Sequence, residues 1–496
     1  MSLDIERPVA QPESDRVWSI ERNGIEPIPE AERHGRPFDL FWVWAAANIS
    51  ILGISYGTYL PAFYSLNLWQ SLLAGLLGTA ISFLLVGFIS LAGKKGSAPT
   101  LVLSRAAFGV RGNVLPTAVS WIALVGWEIV LVALATLSVE TILDRLNVAS
   151  GDGVLAVAFV VIAGATIAVG LLGHATIVRL QTIFTYAFAV LTVVFIALTL
   201  PDIEWSKVSS LPSGSLLAGF IGGMSVVMAG LGIGWVNAAA DYSRYLPRGA
   251  SSNGVVGWTT FGASLPLLVL IPLGVLLAAG NPDLASSANP IGDLARGLPT
   301  WFLVPYLLTA VGGLLAGAVL DIYSSGLNLL TLGVRIPRHI SVAFDGVLMI
   351  AGNIYILFIA KDFIGPFIGF LVTLGVLLAS WSAIFLVDFS LYRRAGYLER
   401  DLYDARGRYG AVNGAGVASF VIASFVGLGL VISSASVFRW VGYLLWLPGM
   451  GGKQGAIAFS SIGLFIAFLV AGALYAVLSS FVPATSRGEA TSAVAR

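Results

Sequence analysis

The chain has 496 residues, 57% of them hydrophobic and only 11% charged, with a net charge of +1 and no cysteine. A soluble domain carries about 25% charged residues, so this composition describes a polytopic membrane protein whose main partner is the lipid bilayer. It excludes disulfides, thiolate metal sites and cysteine nucleophiles, and no basic patch with interleaved aromatics points to nucleic acid.

Residues 1–37 are polar and mixed in charge. They lack the apolar core of a signal peptide and read as a non-cleaved tail. Twelve apolar segments follow, at about 38–64, 69–92, 114–143, 153–172, 176–199, 216–240, 255–279, 303–332, 342–359, 362–389, 411–433 and 457–482. Each is near or above the roughly 20 residues that a spanning helix needs. The ninth is the shortest, and its boundary with the tenth falls near Lys361. The three histidines, His34, His174 and His339, lie outside these segments, so no histidine metal site is expected within the membrane.

With the N-terminus inside, 21 of the 27 Lys and Arg fall on inner loops and tails and 6 on outer loops, counting Arg179 with the loop before the fifth segment. This is the bias of a chain with both termini in the cytoplasm. The expected location is the plasma (inner) membrane.

The first segment carries Asn48, Ser50, Gly53, Ser55 and Gly57 within ten residues, with Pro61 beyond. The sixth places Gly230, Gly232 and Gly234 within five residues, beside Trp235 and Asn237, and ends in the polar run Asp241-Tyr242-Ser243-Arg244-Tyr245. Glycine at this density weakens a helix, and freed backbone groups in lipid must find protein, water or a ligand. Breaks in the first and sixth segments suggest two five-helix inverted repeats, 38–199 and 216–389. Two appended helices at 411–482 and a tail at 483–496 complete the chain. The loop after the second segment is apolar over 99–110, which predicts a short interfacial helix.

Three stretches carry a family resemblance: SRAAFGVRGNVLP (104–116), GWVNAAADYSRYLP (234–247) and SWSAIFLVDFSLYRRAGY (380–397). They resemble the purine–cytosine permeases of the first nucleobase–cation symporter family, and the likeness runs from about 36 to 482. The resemblance implies an all-α, leucine-transporter-like fold and alternating access. It also implies import of a flat heterocycle, stacked between aromatic rings of helices three and six, together with a cation. No cofactor beyond the coupling ion, proton or sodium, is expected, and no oligomer is required.

A nucleobase is apolar on both faces and hydrogen-bonding around its edge, so its site needs aromatic walls and polar groups in plane. Trp127 and Trp235 match the family's aromatic positions. Asn48, Glu128 and Asn237 are the candidate edge groups. The family often has an amide one turn beyond the first Trp, where this chain has Leu131, and Glu128 is a candidate substitute. A carboxyl near the bilayer centre is costly and is a functional hypothesis by default. Neighbouring residues on a helix point about 100° apart, so Trp127 and Glu128 do not both face one site squarely.

The eighth segment has a polar stripe, with Asp321, Ser324, Ser325 and Asn328 at i, i+3, i+4 and i+7. In the family, helix-eight hydroxyls help hold sodium against carbonyls of the first helix. Ser324 and Ser325 are candidates for that sodium, and Asp321 for the sodium or for a proton in its place. Asp241 and Arg244, spaced i, i+3, read as a gate or structural ion pair, and Asp388 reads the same way. Asp345 is a candidate cap for the ninth segment.

Other classes are weighed against this reading. An intramembrane enzyme needs paired acids or a base on facing helices, and only Glu128 and Asp321 are central. An amino-acid transporter of the same fold needs no aromatic walls, and the two Trp favour a heterocycle. Allantoin, hydantoin and pyrimidine vitamins remain alternative substrates within the family.

Overall fold

A computed structural model describes residues 16–287, 289–360 and 364–481, all-helical and without a strand among them. The outer parts of both expected tails and the boundary near Lys361 lie outside the described residues. Among the described residues ten helices are long and apolar enough to cross a membrane, and the pair Asp39–Asn48 and Leu52–Tyr64, bent by 57°, makes up to eleven if read as one span. The eleventh expected segment, 411–433, is the helix Gly414–Leu428, 15 residues long, which is shorter than the roughly 20 that cross a bilayer unaided.

The first segment breaks where its sequence competes with the helix. Asn48 returns a side-chain hydrogen bond to the Trp44 carbonyl (2.8 Å) and Ser50 accepts from the Leu52 amide (3.3 Å). Such local bonds offer the backbone an alternative to the helical ladder. Ile49, between them, has ψ of 70° and leaves the helix.

The sixth segment is interrupted more narrowly. Leu231, between Gly230 and Gly232, is the one residue off the helical conformation, with φ −114° and ψ −107°. Helical pieces Gly222–Gly230 and Gly232–Trp235 flank it, followed by a 3-10 turn at Val236–Ala238. Together these pieces run as one span, and among the described residues the sharp bend is that of the first segment.

The third segment, Val114–Arg145, packs along the eighth, Leu303–Thr331. The seventh, Ser252–Gly280, packs along both the second, Leu68–Gly96, and the first. Backbones touch at the first–seventh contact. A Cβ on Gly57 would sit 2.2 Å from the Ile271 carbonyl oxygen, and one on Gly274 would sit 2.1 Å from that of Ile54. Small residues allow this approach where lipid offers no hydrophobic drive between helices.

The loop after the second segment departs from expectation. It forms two helical turns, Thr100–Leu103 and Arg105–Phe108, with every residue of both buried. Its apolar side chains face protein rather than the lipid interface, and Ser104 accepts from the Trp381 indole (2.8 Å).

Candidate functional site

A cavity lies where the two interrupted segments meet. Its free volume is about 40 Å³, room for a few waters as it stands. The first segment contributes Asn48, Ser50 and Tyr56, the third Trp127 and Leu131, the sixth Gly234 and Trp235, and the eighth Gly313 and Gly317. Tyr56 donates to the Gly230 carbonyl (3.2 Å), which joins one interruption to the other. The eighth segment needs glycine here, because a Cβ on Gly313 would lie 2.3 Å from the Ile49 carbonyl oxygen.

Trp127 and Trp235 both line this space. Trp127 is held edge-to-face by Phe367, with ring centroids 5.4 Å apart, and Trp235 by the fully buried Trp44 at 5.6 Å. Such T-shaped contacts fix ring orientation beyond mere burial. Asn48 reaches the cavity with one amide hydrogen on its own helix. Leu131 also lines it, with no polar group to offer.

The other expected edge residues lie elsewhere. Glu128 is fully buried, is not among the cavity's lining residues, and interacts with Asp345, Ser325 and Asp321 on the eighth and ninth segments. Neither of its oxygens meets a hydrogen-bond partner. Asn237 donates to the Ser120 hydroxyl (2.7 Å), which also receives Asn328 (2.6 Å). Ser120 precedes Trp127 by seven residues, about 10 Å along the helix, so this knot seals the tail-facing side of the cavity.

Asp321, Ser324 and Ser325 are buried but do not line the cavity. They fall one to two turns beyond Gly317, toward the tail side. Ser324 exchanges a hydrogen bond with Tyr242 (3.1 Å) and Ser325 donates to the Ile322 carbonyl (3.3 Å). Among the described residues no group of three His, Cys, Asp or Glu is close enough to hold a metal ion.

Asp241 and Arg244 have separate partners. Asp241 accepts from the Thr100 amide (2.7 Å) and hydroxyl (2.8 Å). Burial pushes its carboxyl up to about 6, against the opposing pull of the Thr100 bonds and of Arg244. Arg244 donates instead to Glu21 (3.1 Å), in an ion pair almost without solvent. As an acid in a polar tail, Glu21 carries no signal in the sequence that would single it out. Asp388 pairs with Arg393 (3.1 Å) and accepts from Tyr475 (2.8 Å). Asp345 is no cap. The ninth helix begins at Arg338, and Asp345 lies two turns inside, accepting from the Trp121 indole (2.9 Å).

Comparison with known proteins follows this geometry. The sequence model of a family described as permeases for cytosine/purines, uracil, thiamine and allantoin matches residues 27–447. A putative purine-cytosine permease, YxlA of Bacillus subtilis, is 28% identical over 446 residues, covering 87% of this chain and 93% of that one. The purine-cytosine permease FCY21 of Saccharomyces cerevisiae is 26% identical over 476 residues, covering 91% and 85%. Among solved structures, the chain is similar to Mhp1, a nucleobase-cation-symport-1 transporter, in a closed conformation with bromovinylhydantoin bound. The TM-score is 0.68 at 19% identity, over 95% of this chain and 99% of that one. It is also similar in fold to a Na+-coupled sialic acid symporter, with a TM-score of 0.62 at 11% identity over 90% and 91%. The match runs over residues 27–447, most of the chain, and the fold agrees with it: this chain belongs to the family of permeases for cytosine/purines, uracil, thiamine and allantoin.

Proposed function

We propose that the chain imports a nucleobase, or a closely related flat heterocycle, in symport with a cation by alternating access. The observation that carries this reading is the pair Trp127 and Trp235 lining one cavity between the two helix interruptions. The heterocycle stacks on these indoles, and Asn48 with the freed backbone of both interruptions bonds its edge. With Leu131 beside it, the third segment offers one wall and no edge amide. Segments one to five and six to ten are read as the two repeats.

The coupling ion is proposed to be a proton carried by Asp321. Two features support this over sodium. The eighth segment meets the first-segment bend with Gly313 and Gly317, which bring no hydroxyl, and the Ser324 and Ser325 hydroxyls are engaged one to two turns away. Sodium wants several oxygen ligands around one point, whereas a proton needs one acceptor.

The tail residues pack against Lys94, Arg244, Arg338 and Tyr403, all on loops or helix ends that charge bias assigns to the inside. This supports a cytoplasmic N-terminus.

The test is competition uptake in vesicles. Labelled cytosine is challenged with adenine, hypoxanthine, uracil, allantoin and thiamine, with and without sodium. Displacement by none of the panel, and no cytosine uptake, would overturn the substrate reading.

A further inference from the structure

From Arg16 onward the N-terminal tail packs against the helices. Glu21, 3% exposed, brings one carboxylate into contact with four separate segments. Its Oε1 accepts from Arg244 (3.1 Å) and Tyr245 (2.5 Å) at the end of the sixth segment and from Tyr323 (3.2 Å) on the eighth. Its Oε2 accepts from the His174 amide (2.8 Å), where the fifth begins, and lies 3.6 Å from Arg338, where the ninth begins.

The fold makes room for this carboxylate. Gly173 adopts φ +84°, and a Cβ there would sit 2.1 Å from Glu21 Oε2. Burial alone would raise the Glu21 carboxyl, but Arg338 and Arg244 outweigh it and hold the group below its ordinary value, as an anion. The following backbone continues the seam. Gly24 accepts from Arg244 (2.7 Å), Ile25 from Tyr403 (2.5 Å), and the His34 amide donates to the Tyr245 carbonyl (2.7 Å).

On the tail side of the cavity the end of the sixth segment is bonded to the eighth, Tyr242 to Ser324 and Arg244 to Tyr323, and Glu21 touches both segments. We propose that Glu21 is the latch of the cytoplasmic gate: its carboxylate ties the sixth segment to the fifth, eighth and ninth in the closed state and withdraws with the tail when the gate opens. The proposal rests on the alternating-access reading above. The latch suits a reversible gate because it sits on a tail. It leaves without unfolding a span, and both members of a buried ion pair regain water when they part.

The chain has no cysteine, so one engineered thiol reports the gate cleanly. Ser120→Cys places it in the fully buried knot below Trp127. Labelling by a membrane-impermeant thiol reagent is measured in inside-out vesicles, with and without cytosine. Adding Glu21→Gln should speed labelling about tenfold without substrate, the shift that loss of one charge-assisted contact gives a two-state equilibrium. Tyr323→Phe, which removes only a hydroxyl, should move the rate the same way by less and covers the case in which Glu21→Gln fails to fold. Glu21→Asp should restore part of the slow labelling. A combined Glu21→Gln and Arg244→Gln variant should speed labelling by less than the product of the two single effects, because the two residues share one contact. Unchanged labelling in Glu21→Gln and Tyr323→Phe, with cytosine still altering the rate, overturns the latch alone. A rate indifferent to every panel heterocycle in the parent protein overturns the transport reading beneath it.

Discussion

Tyr56 donates its hydroxyl to the carbonyl of Gly230 across 3.2 Å, so the bent first segment is tied to the sixth at the residue before Leu231 leaves the helix. That carbonyl is one that the interruption deprives of a regular helical partner, and the bond satisfies it without water. Tyr56→Phe keeps the ring and removes the bond. A buried neutral hydrogen bond contributes about 1 kcal/mol, and leaving its acceptor bare costs up to about 3. Thermal unfolding in detergent should show the variant less stable by that amount, and uptake should show a weaker apparent affinity. Parent-like values of both would mean the bond joins nothing of consequence.

Trp127→Ala and Trp235→Ala should each weaken heterocycle binding by about 1–3 kcal/mol, the range for loss of one base-stacking aromatic. Trp→Phe should keep part of the affinity at either position. Equilibrium binding on purified protein separates this from transport defects. If both alanine variants bind with parent affinity, the indoles are not the walls.

Asp241 yields a pH prediction with a definite sign. Its folded carboxyl sits at about 6, above the ordinary 3.8, chiefly through burial. A raised acid contributes stability that is fully present below the unfolded value and is lost as pH rises through the folded one. The parent should therefore lose up to about 3 kcal/mol between pH 4 and pH 7 from this residue alone. Asp241→Asn retains the oxygen that accepts from Thr100 and cannot titrate. The difference in melting temperature, parent minus variant, should fall across that window. A constant difference would show that Asp241 does not titrate there.

The sequence made much of this legible, and its gaps have physical causes. The apolar spans and the first break follow from hydropathy and from Asn48 and Ser50, because lipid enforces helices and local polar side chains mark where they fail, while the expected count of twelve meets eleven spans and one shorter helix among the described residues. The aromatic pair was visible as two indoles with a family resemblance. Sequence spacing also showed that Glu128 and Trp127 point apart. It did not show which of them faces the cavity, because that depends on the rotation of the third segment against the eighth. The polar stripe from Asp321 to Asn328 was correctly read as turned inward, yet its height along the helix was not: Gly313 and Gly317, silent in composition, meet the first-segment bend instead. Spacing at i, i+3 paired Asp241 with Arg244, whereas the fold gives the first to Thr100 and the second to Glu21, 223 positions away in sequence. A contact that distant leaves no local signal.

The last prediction concerns the coupling ion. Asp321 is 1% exposed, lies one turn from Gly317 on the cavity wall, and has an oxygen without a hydrogen-bond partner. A carboxyl so placed inside a membrane protein is expected to serve an ion pathway. Asp321→Asn has nearly the same shape and hydrogen-bonding reach but cannot take up or release a proton. It should still bind cytosine, and preloaded vesicles should still exchange labelled for unlabelled substrate, since exchange needs no net proton movement. It should fail to concentrate substrate against a gradient. Parent uptake should rise as the outside is acidified and proceed without sodium, and the variant should lose the dependence on acidity. Two measurements decide the matter, counterflow and gradient-driven uptake, each run at two external pH values with sodium or choline as the salt. If parent uptake demands sodium and ignores pH, the proton reading fails. If the variant concentrates substrate as the parent does, Asp321 carries no coupling role.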